Sequence, residues 1–143
     1  MPRTTIQSLK QCGTTAVLIL LCTTLSCKKE TSTDAAKFAG TWTGLSTCTS
    51  DSATVSVIIT AGSGNNITFT NNIATATYPA LKDVTVKAVA SGDQLTFPTQ
   101  SFNDNSGHSI TISGSGSLSG GTLTLYQEYT GYLSTACSFS GRK

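Results

Sequence analysis

The side chains that could take part in catalysis are few in this chain of 143 residues. His108 is the single histidine, and Asp104 is the nearest acid to it in the sequence. A catalytic triad would also need a positioned nucleophile, and no spacing singles out one of the many serines. The seven Asp and Glu residues are dispersed singly, so the sequence indicates no carboxylate pair of the glycosidase kind. The sequence therefore predicts that the protein is not an enzyme.

Two short segments are rich in potential ligand atoms but lack the pattern of a binding loop. Residues 103–107 supply several oxygen donors without the spacing and the terminal Glu of a calcium loop. Residues 114–117 read Gly-Ser-Gly-Ser, but they lack the strand-to-helix context of a phosphate loop. We therefore expect neither a metal nor a cofactor.

Aromatic residues give the best candidates for a binding surface. Tyr126, Tyr129 and Tyr132 lie around a predicted hairpin, where they could form an exposed platform for a sugar or a protein partner. Tyr126 and Tyr129 would face opposite sides of a regular strand, so one of them could instead belong to the core. Phe102 and His108, in and directly after the longest predicted loop (residues 99–107), complete the candidate binding residues.

The beginning of the chain has the composition of an export signal. Arg3 and Lys10 precede the apolar residues 16–21, and no acid lies among the first eleven residues. An apolar run of this length is too short to cross a bilayer as a permanent helix, and it is typical of a signal peptide.

The motif Leu25-Ser26-Cys27 closes this segment, with a small residue directly before the cysteine. It resembles the lipobox of bacterial lipoproteins, in which the chain is cut before a cysteine that carries acyl chains. The resemblance implies a cleaved signal peptide (residues 1–26), lipidation of Cys27 and a lipidated flexible tether (residues 27–37). Several acyl chains give a lasting anchor, because each buried methylene contributes about 0.8 kcal/mol.

The match to the lipobox has one departure, at Thr24, where the family usually has leucine. An ordinary secretory signal is therefore the alternative interpretation, and Cys22 is a rival site with the bulkier Leu21 before it. Lys28 follows Cys27, and the resemblance then implies sorting to the outer membrane in a bacterium with two membranes. The periplasmic and the surface face both stay open.

Signal cleavage would change the charge and the cysteine count. Without residues 1–26, 143 − 26 = 117 residues remain, enough for one domain. Seven basic and seven acidic residues remain as well, so no basic patch indicates nucleic-acid binding. Cys48 and Cys137 are then the pair left beside Cys27, and in an oxidising compartment they predict a disulfide. The long loop that it closes corresponds to about 4–5 kcal/mol in the chain-entropy estimate.

Residues 38–143 have the sequence pattern of an all-β domain. Apolar residues recur at every second position and Gly, Asn and Pro punctuate the pattern. This indicates eight or nine short antiparallel strands, arranged as a single small up-and-down β-barrel or, alternatively, as a β-sandwich. The predicted strands are residues 40–48, 52–60, 67–69, 73–78, 83–90, 95–97, 109–118, 122–130 and 134–141, and the glycines of residues 109–118 suggest a bend or bulge there.

The cysteines favour the barrel. If Cys48 lies opposite Cys137 on antiparallel strands, Gly44 falls opposite Gly141 and Trp42 opposite Lys143. The register then runs out at the end of the chain, as expected of a strand that closes a barrel. Closure also removes the exposed edges of a sheet.

The opening of the domain, Phe38-Ala39-Gly40-Thr41-Trp42, resembles the first strand of the calycin barrels: lipocalins, fatty-acid-binding proteins and avidins. In lipocalins the tryptophan closes one end of the barrel, and a basic residue near the last strand packs over it. Gly40 and Trp42 match this pattern, and Arg142 lies next to the expected basic position. The resemblance implies a lipocalin-like barrel; an unrelated β-domain that starts with Gly-x-Trp is the alternative.

These observations lead to two functional hypotheses. The first is a lipid-anchored protein of a bacterial cell envelope whose β-barrel binds a small apolar or glycan ligand at its mouth. The alternative is an envelope structural or interaction protein, or an inhibitor, with a filled barrel that acts through its loops. We expect a monomer that contacts the membrane through its acyl chains and binds no nucleic acid.

Overall fold

The computed structural model describes residues 33–49, 51–74, 78–81 and 84–143. The predicted signal peptide, the lipidation site Cys27 and most of the predicted tether lie outside the described residues. None of the helices in the described ranges is long and apolar enough to span a membrane.

Eight antiparallel strands form one closed barrel in chain order, and the last strand pairs with the first. This confirms the prediction of an all-β up-and-down barrel over the alternative sandwich. A short helix, α1 (Asp34–Phe38), precedes the barrel, and a 3-10 turn (Pro79–Leu81) lies between the third and fourth strands. The strands are β1 (Gly40–Cys48), β2 (Asp51–Ala61), β3 (Asn66–Thr70), β4 (Val86–Ser91), β5 (Gln94–Asn103), β6 (Ser109–Ser119), β7 (Thr122–Gly131) and β8 (Thr135–Arg142).

The seam between β1 and β8 has the predicted register. Cys48 lies opposite Cys137, and the two form a disulfide across 89 residues of sequence. Gly44 lies opposite Gly141, and a Cβ atom added to Gly44 would collide with the backbone carbonyl of Ser140. Glycine is therefore needed there for the two strands to approach, which fits a barrel that closes tightly at this point.

Two predicted elements differ from the structure. Residues 73–78 were expected to be a strand, but Ile73 and Ala74 form a buried turn and Tyr78 lies outside any strand. Residues 99–107 were expected to be a loop, but β5 continues as far as Asn103. One extra residue is inserted in β5 between Phe97 and Gln100, so the bulge lies there and not in β6.

The physical reasons for both differences are local. The proline at position 98 has no backbone N–H, and a bulge is a place where a strand tolerates that loss. In the segment between β3 and β4, Ile73, Ala74, Leu81 and Val84 are buried. This segment has a strand-like alternation, but its apolar residues cover one end of the barrel and so join the core without joining the sheet.

Side chains from all eight strands meet in one core inside the barrel. Phe69 and Phe97 pack with ring centroids 4.9 Å apart in a tilted arrangement. Burial of each large apolar side chain contributes about 1.5–3 kcal/mol. The largest fully buried side chains are Phe38, Ile67, Phe69, Ile73, Leu81, Leu95, Ile110, Ile112, Leu123, Leu125, Tyr129 and Phe139.

One end of the barrel, here called the closed end, is covered by α1. Phe38 and Trp42 are buried there, and Trp42 Nε1 donates a hydrogen bond of 2.7 Å to the carbonyl of Phe38. The ammonium group of Lys143 lies 4.8 Å from the centroid of the Trp42 ring and donates to the carbonyl of Lys37 at 3.1 Å. Gly40 has a φ of +128°, a conformation that favours glycine.

Arg142 does not pack over Trp42. It is exposed at the end of β8, and its Nε donates to Thr122 Oγ1 at 3.1 Å. Because side chains alternate between the two faces of a strand, the basic side chain that reaches the tryptophan is that of Lys143.

Candidate functional site

The structure places the five predicted binding residues in four different environments. Tyr129 is buried in the core, and Phe102 is half-buried against it. Tyr126 lies on the outer wall of the barrel. Tyr132 and His108 alone among the five come together, at the end opposite α1. The predicted tyrosine platform is therefore not formed, because Tyr126 and Tyr129 point to opposite sides of β7.

Tyr126 is held in place on the outer wall by its neighbour on the same face of β7. Its hydroxyl donates to Glu128 Oε1 at 2.9 Å. This hydrogen bond, followed by partial burial, raises the pKa of Tyr126 above its ordinary value. Tyr126 is thus an exposed tyrosine remote in the fold from Tyr132, which makes it a useful control residue.

The end opposite α1, here called the cleft end, contains a small cavity. The residues around it come from the segment between β3 and β4, from the turns after β5 and β7, and from the start of β6. The cavity, here called the cleft, has a volume of about 200 Å³. Its lining residues are Tyr78, Pro79, Leu81, Asp104, Ile110, Tyr132 and Leu133.

Asp104 organises the turn that forms one wall of the cleft. Its Oδ1 accepts hydrogen bonds of 2.8 Å from the backbone N–H groups of Ser106 and His108. Its Oδ2 lies 3.1 Å from Nδ1 of His108. An Asp side chain that accepts from the N–H group two residues ahead is the usual reason for a turn at such a sequence. Gly107, with φ of +85°, completes the turn.

Asp104 is buried but ionised. Burial by itself raises the pKa of its carboxyl, yet the backbone and side-chain hydrogen bonds from His108 and the backbone N–H of Ser106 outweigh that effect, so the pKa is lowered. An ionised carboxylate can only accept hydrogen bonds. Nδ1 of His108 therefore carries the proton in this pair.

His108 and Tyr132 form a stacked pair at the rim of the cleft. Their ring centroids are 3.7 Å apart and their planes are 4° from parallel. Tyr132 is nevertheless 70% exposed, because the imidazole covers one face of its ring and leaves the other face open. The Asp104 carboxylate, the imidazole and the phenol ring thus form a connected row that the β5–β6 and β7–β8 turns hold together.

Near the cleft end lies a buried polar cluster that was not predicted from the sequence. The hydroxyl of Tyr129 lies 2.8 Å from Asn72 Oδ1 and 2.6 Å from Gln127 Oε1, and burial raises its pKa. Ser46 Oγ donates to the carbonyl of Ile73 at 2.7 Å. These bonds attach the segment after β3 to the barrel wall. Ser46 and Gln127 are polar residues at inward-facing positions of the alternation, and this pattern could have indicated a buried polar cluster.

The cleft end combines apolar and charged groups around one cavity. The cleft offers apolar walls, the exposed face of an aromatic ring and one ionised carboxylate. Within the described residues, no group of three or more His, Cys, Asp or Glu side chains is placed to hold a metal ion. His108 has Asp104 as its hydrogen-bonding partner, and its ring stacks on that of Tyr132.

Comparisons with known proteins give one similarity of fold. No protein-family model and no curated protein matches the chain. Among solved structures, the chain is similar to the crystal structure of "a putative outer membrane protein" from Bacteroides fragilis, with a TM-score of 0.48 and 16% sequence identity. The alignment covers 77% of this chain and 52% of that chain, so this chain spans about half of that protein's length. A likeness of this size establishes no shared function.

Proposed function

We propose that this protein is a lipid-anchored component of a bacterial cell envelope that binds a small, mainly apolar ligand in the cleft. The observation that supports this proposal is the cleft itself, with apolar walls and the exposed ring of Tyr132 at its rim. The anchor rests on the sequence motif Leu25-Ser26-Cys27 and on its resemblance to the lipobox.

The size and lining of the cleft limit what it can accept. Ligand sites for drug-sized molecules are usually about 300–1,000 Å³, whereas this cleft has about 200 Å³. It would therefore accept one ring or a short chain, and the rest of a larger ligand would lie over Tyr132. A glycan is the less favoured ligand, because a sugar brings many hydroxyl groups that the apolar walls of Leu81, Ile110 and Leu133 do not satisfy.

The packing of the barrel core favours the cleft, and not the barrel interior, as the place where a ligand binds. Side chains from every strand pack together inside the barrel, and α1 covers its closed end. The same packing supports a second candidate function, that of an envelope interaction or structural protein, or an inhibitor, that acts through its loops. In that case Tyr132 would be the residue that inserts into a partner, since exposed tyrosines are frequent anchors in interfaces.

We also propose that the domain is related to the calycin barrels. Its support is the eight-stranded up-and-down topology, with Gly40 and Trp42 in the first strand and a basic side chain, Lys143, over the tryptophan. The measurement that checks kinship is a search with an alignment of close relatives, in which Gly40 and Trp42 should be retained.

The binding proposal is tested by native mass spectrometry. We would express the whole chain with Cys27→Ser and record spectra under native and then denaturing conditions. A bound mass that disappears on denaturation is expected, and it should be lost in Tyr132→Ala but retained in Tyr126→Ala. A bare protein, together with capture of one stoichiometric protein partner that depends on Tyr132, would instead favour the interaction function.

The anchor is tested separately by labelling cells with radioactive palmitate. Wild-type protein and Cys22→Ser should take up the label, whereas Cys27→Ser should not. Equal labelling of Cys27→Ser would overturn the assignment of the lipid to this cysteine. Loss of label in Cys22→Ser alone would move the site to the rival position.

A further inference from the structure

The structure assigns to the cleft a ligand of a particular chemical class, an organic cation in which an ammonium group carries apolar substituents. This inference rests on the proposed function, because it presumes that the cleft is a binding site. It goes beyond that function by naming the charge of the ligand. Three features of the described residues carry it: a buried charge, two tyrosines in the lining and the size of the cavity.

The first feature is a fixed negative charge in an otherwise apolar wall. Among the described residues that line the cleft, Asp104 alone carries a charged side chain. That side chain is only 4% exposed, and its hydrogen bonds keep it ionised, as its lowered pKa indicates. Charges interact much more strongly near a poorly hydrated wall than in bulk water. A cation in the cleft would therefore be favoured over a neutral group of the same shape.

Within the described ranges, the hydrogen bonds to Asp104 leave one acceptor position for such a partner. A carboxylate offers about four acceptor positions, and the Ser106 and His108 backbone N–H groups and the His108 imidazole occupy three of them. A primary or secondary ammonium group could donate to the remaining position. A quaternary ammonium group would interact through charge alone.

The second feature is the pair of tyrosines that line the cleft, Tyr78 and Tyr132. The face of an aromatic ring carries partial negative charge and attracts cations, and alkylated ammonium groups are the ligands that such rings recognise in other proteins. His108 covers one face of Tyr132 and fixes the orientation of the ring. The other face stays available for the ligand.

The third feature is the volume. A cavity of about 200 Å³ matches one alkylated ammonium group and excludes a folded peptide segment or an oligosaccharide. The lining of Pro79, Leu81, Ile110 and Leu133 would pack against the alkyl groups, while the carboxylate and the rings would compensate the charge. A neutral apolar ligand would use the first set of contacts but would gain nothing from the charge of Asp104.

The experiment compares choline with 3,3-dimethylbutan-1-ol, in which a carbon atom replaces the charged nitrogen. Each compound would be titrated into the purified Cys27→Ser protein and followed by the NMR shifts of the tyrosine rings. We expect choline to bind about tenfold more tightly than the alcohol, a ratio that corresponds to the usual strength of a partly buried cation–aromatic contact.

Matched variants locate the effect. Asp104→Asn keeps the size of the side chain and an oxygen for the two backbone N–H groups, so it should remove the preference for choline while binding of the alcohol persists. Tyr132→Phe should retain choline binding within about threefold, and Tyr132→Ala should weaken it about tenfold. If Asp104→Asn does not fold, Tyr132→Phe and Tyr132→Ala, each measured with both compounds, decide whether choline is preferred at this site.

The outcomes separate this inference from the proposed function. Equal affinity for choline and the alcohol, with both lost in Tyr132→Ala, would overturn the cation assignment and leave the cleft as an apolar binding site. Failure of both compounds to bind, together with a bare native mass spectrum, would overturn the proposed binding function and the cation assignment together.

Discussion

The two ends of this barrel are closed by different means. At the closed end, the rings of Phe38 and Trp42 fill the opening and their one polar atom, the indole N–H, is bonded to a backbone carbonyl. At the cleft end, Ile73 and Leu81 contribute apolar cover, but buried polar groups lie among them and a cavity remains. One end is therefore filled by side chains, whereas the other keeps a cleft between its turns.

The charged side chains at the two ends differ in their exposure to solvent. At the closed end, Lys37 lies 3.1 Å from Asp93 and 3.6 Å from Asp34, and all three side chains are at least one-third exposed. The hydrogen bond to Asp93 is the main cause of the raised pKa of Lys37. Exposed pairs of this kind contribute little to stability. Asp104 at the cleft end is buried, so its charge is screened less by solvent.

The largest expected effect on stability is that of removing the Trp42 ring from the closed end. Trp42→Ala should lower the free energy of unfolding by about 3–5 kcal/mol, because it removes a large buried ring and leaves a cavity. Urea unfolding followed by circular dichroism measures it. Leu45→Ala, on the same strand but 54% exposed, should change the stability by less than about 0.5 kcal/mol. Similar losses for both variants would contradict a plug at the closed end.

Removal of the disulfide is expected to cause the second largest loss of stability. Replacement of Cys48 and Cys137 by alanine together should cost about 2–4 kcal/mol, since it removes a constraint on the unfolded chain. Urea midpoints with and without a reducing agent measure the loss. Reductant should lower the midpoint of the wild-type protein toward that of the double variant and leave the variant unchanged. An unchanged wild-type midpoint after full reduction, verified by thiol titration, would refute the prediction.

The polar cluster of the cleft end gives a smaller and pH-dependent effect. Tyr129→Phe should cost about 1–3 kcal/mol at neutral pH, because it removes the single hydroxyl proton that a buried amide oxygen of this cluster accepts. Burial raises the pKa of Tyr129 above its ordinary value of 10.0, so the folded chain keeps a proton that the unfolded chain releases. This part of the stability is present below pH 10 and is lost as the pH rises above it.

Measurements of stability above pH 10 test this predicted direction of the pH dependence. Wild-type stability should fall more steeply above pH 10 than that of Tyr129→Phe, in urea titrations at matched ionic strength. Tyr126→Phe, on the outer wall, is the control and should follow the wild-type curve more closely. Parallel curves for the wild type and Tyr129→Phe would show that the buried hydroxyl does not govern alkaline unfolding.

The smallest effect is expected for the cation at the closed end. Lys143→Met keeps an aliphatic chain over Trp42 but removes the charge, so it should cost about 0.5–1 kcal/mol. Thermal unfolding at low ionic strength is sensitive enough to detect it. Lys87→Met, an exposed change on β4, provides the comparison. A loss no larger than that of the control would mean that the ammonium group adds nothing to the packing of the alkyl chain.

The sequence was informative where a covalent or periodic constraint acted over a distance. The pairing of Cys48 with Cys137 and the alternation around it were enough to predict the seam and the barrel. The placement of residues 73–78 was not predictable in this way, because their alternation fits a strand equally well. Only the closure of the barrel by eight strands shows that Ile73 lies at its end and belongs to no strand.

The candidate site was predictable only in part. Tyr132 and His108 were identified as aromatic residues of predicted turns, but their contact depends on how the turns after β5 and β7 come together at one end of the closed barrel. Asp104 was weighed as a catalytic partner of His108, whereas its hydrogen bonds show a turn-forming role. The cleft itself could not be predicted, because its far wall is formed by Tyr78 and Leu81 from the segment expected to be a strand and its continuation.

The covalent link between the first and last strands has a mechanical consequence. A force applied between a membrane attachment before α1 and the far end of the chain would pass from β1 into β8 across the disulfide. The 89 residues of sequence separation between the two cysteines would be shielded from extension, which withholds about 300 Å of chain at full stretch. All residues of the cleft lie within that shielded stretch. In an oxidised protein under tension, only the residues before Cys48 and after Cys137 could extend, and the cleft would keep its connectivity.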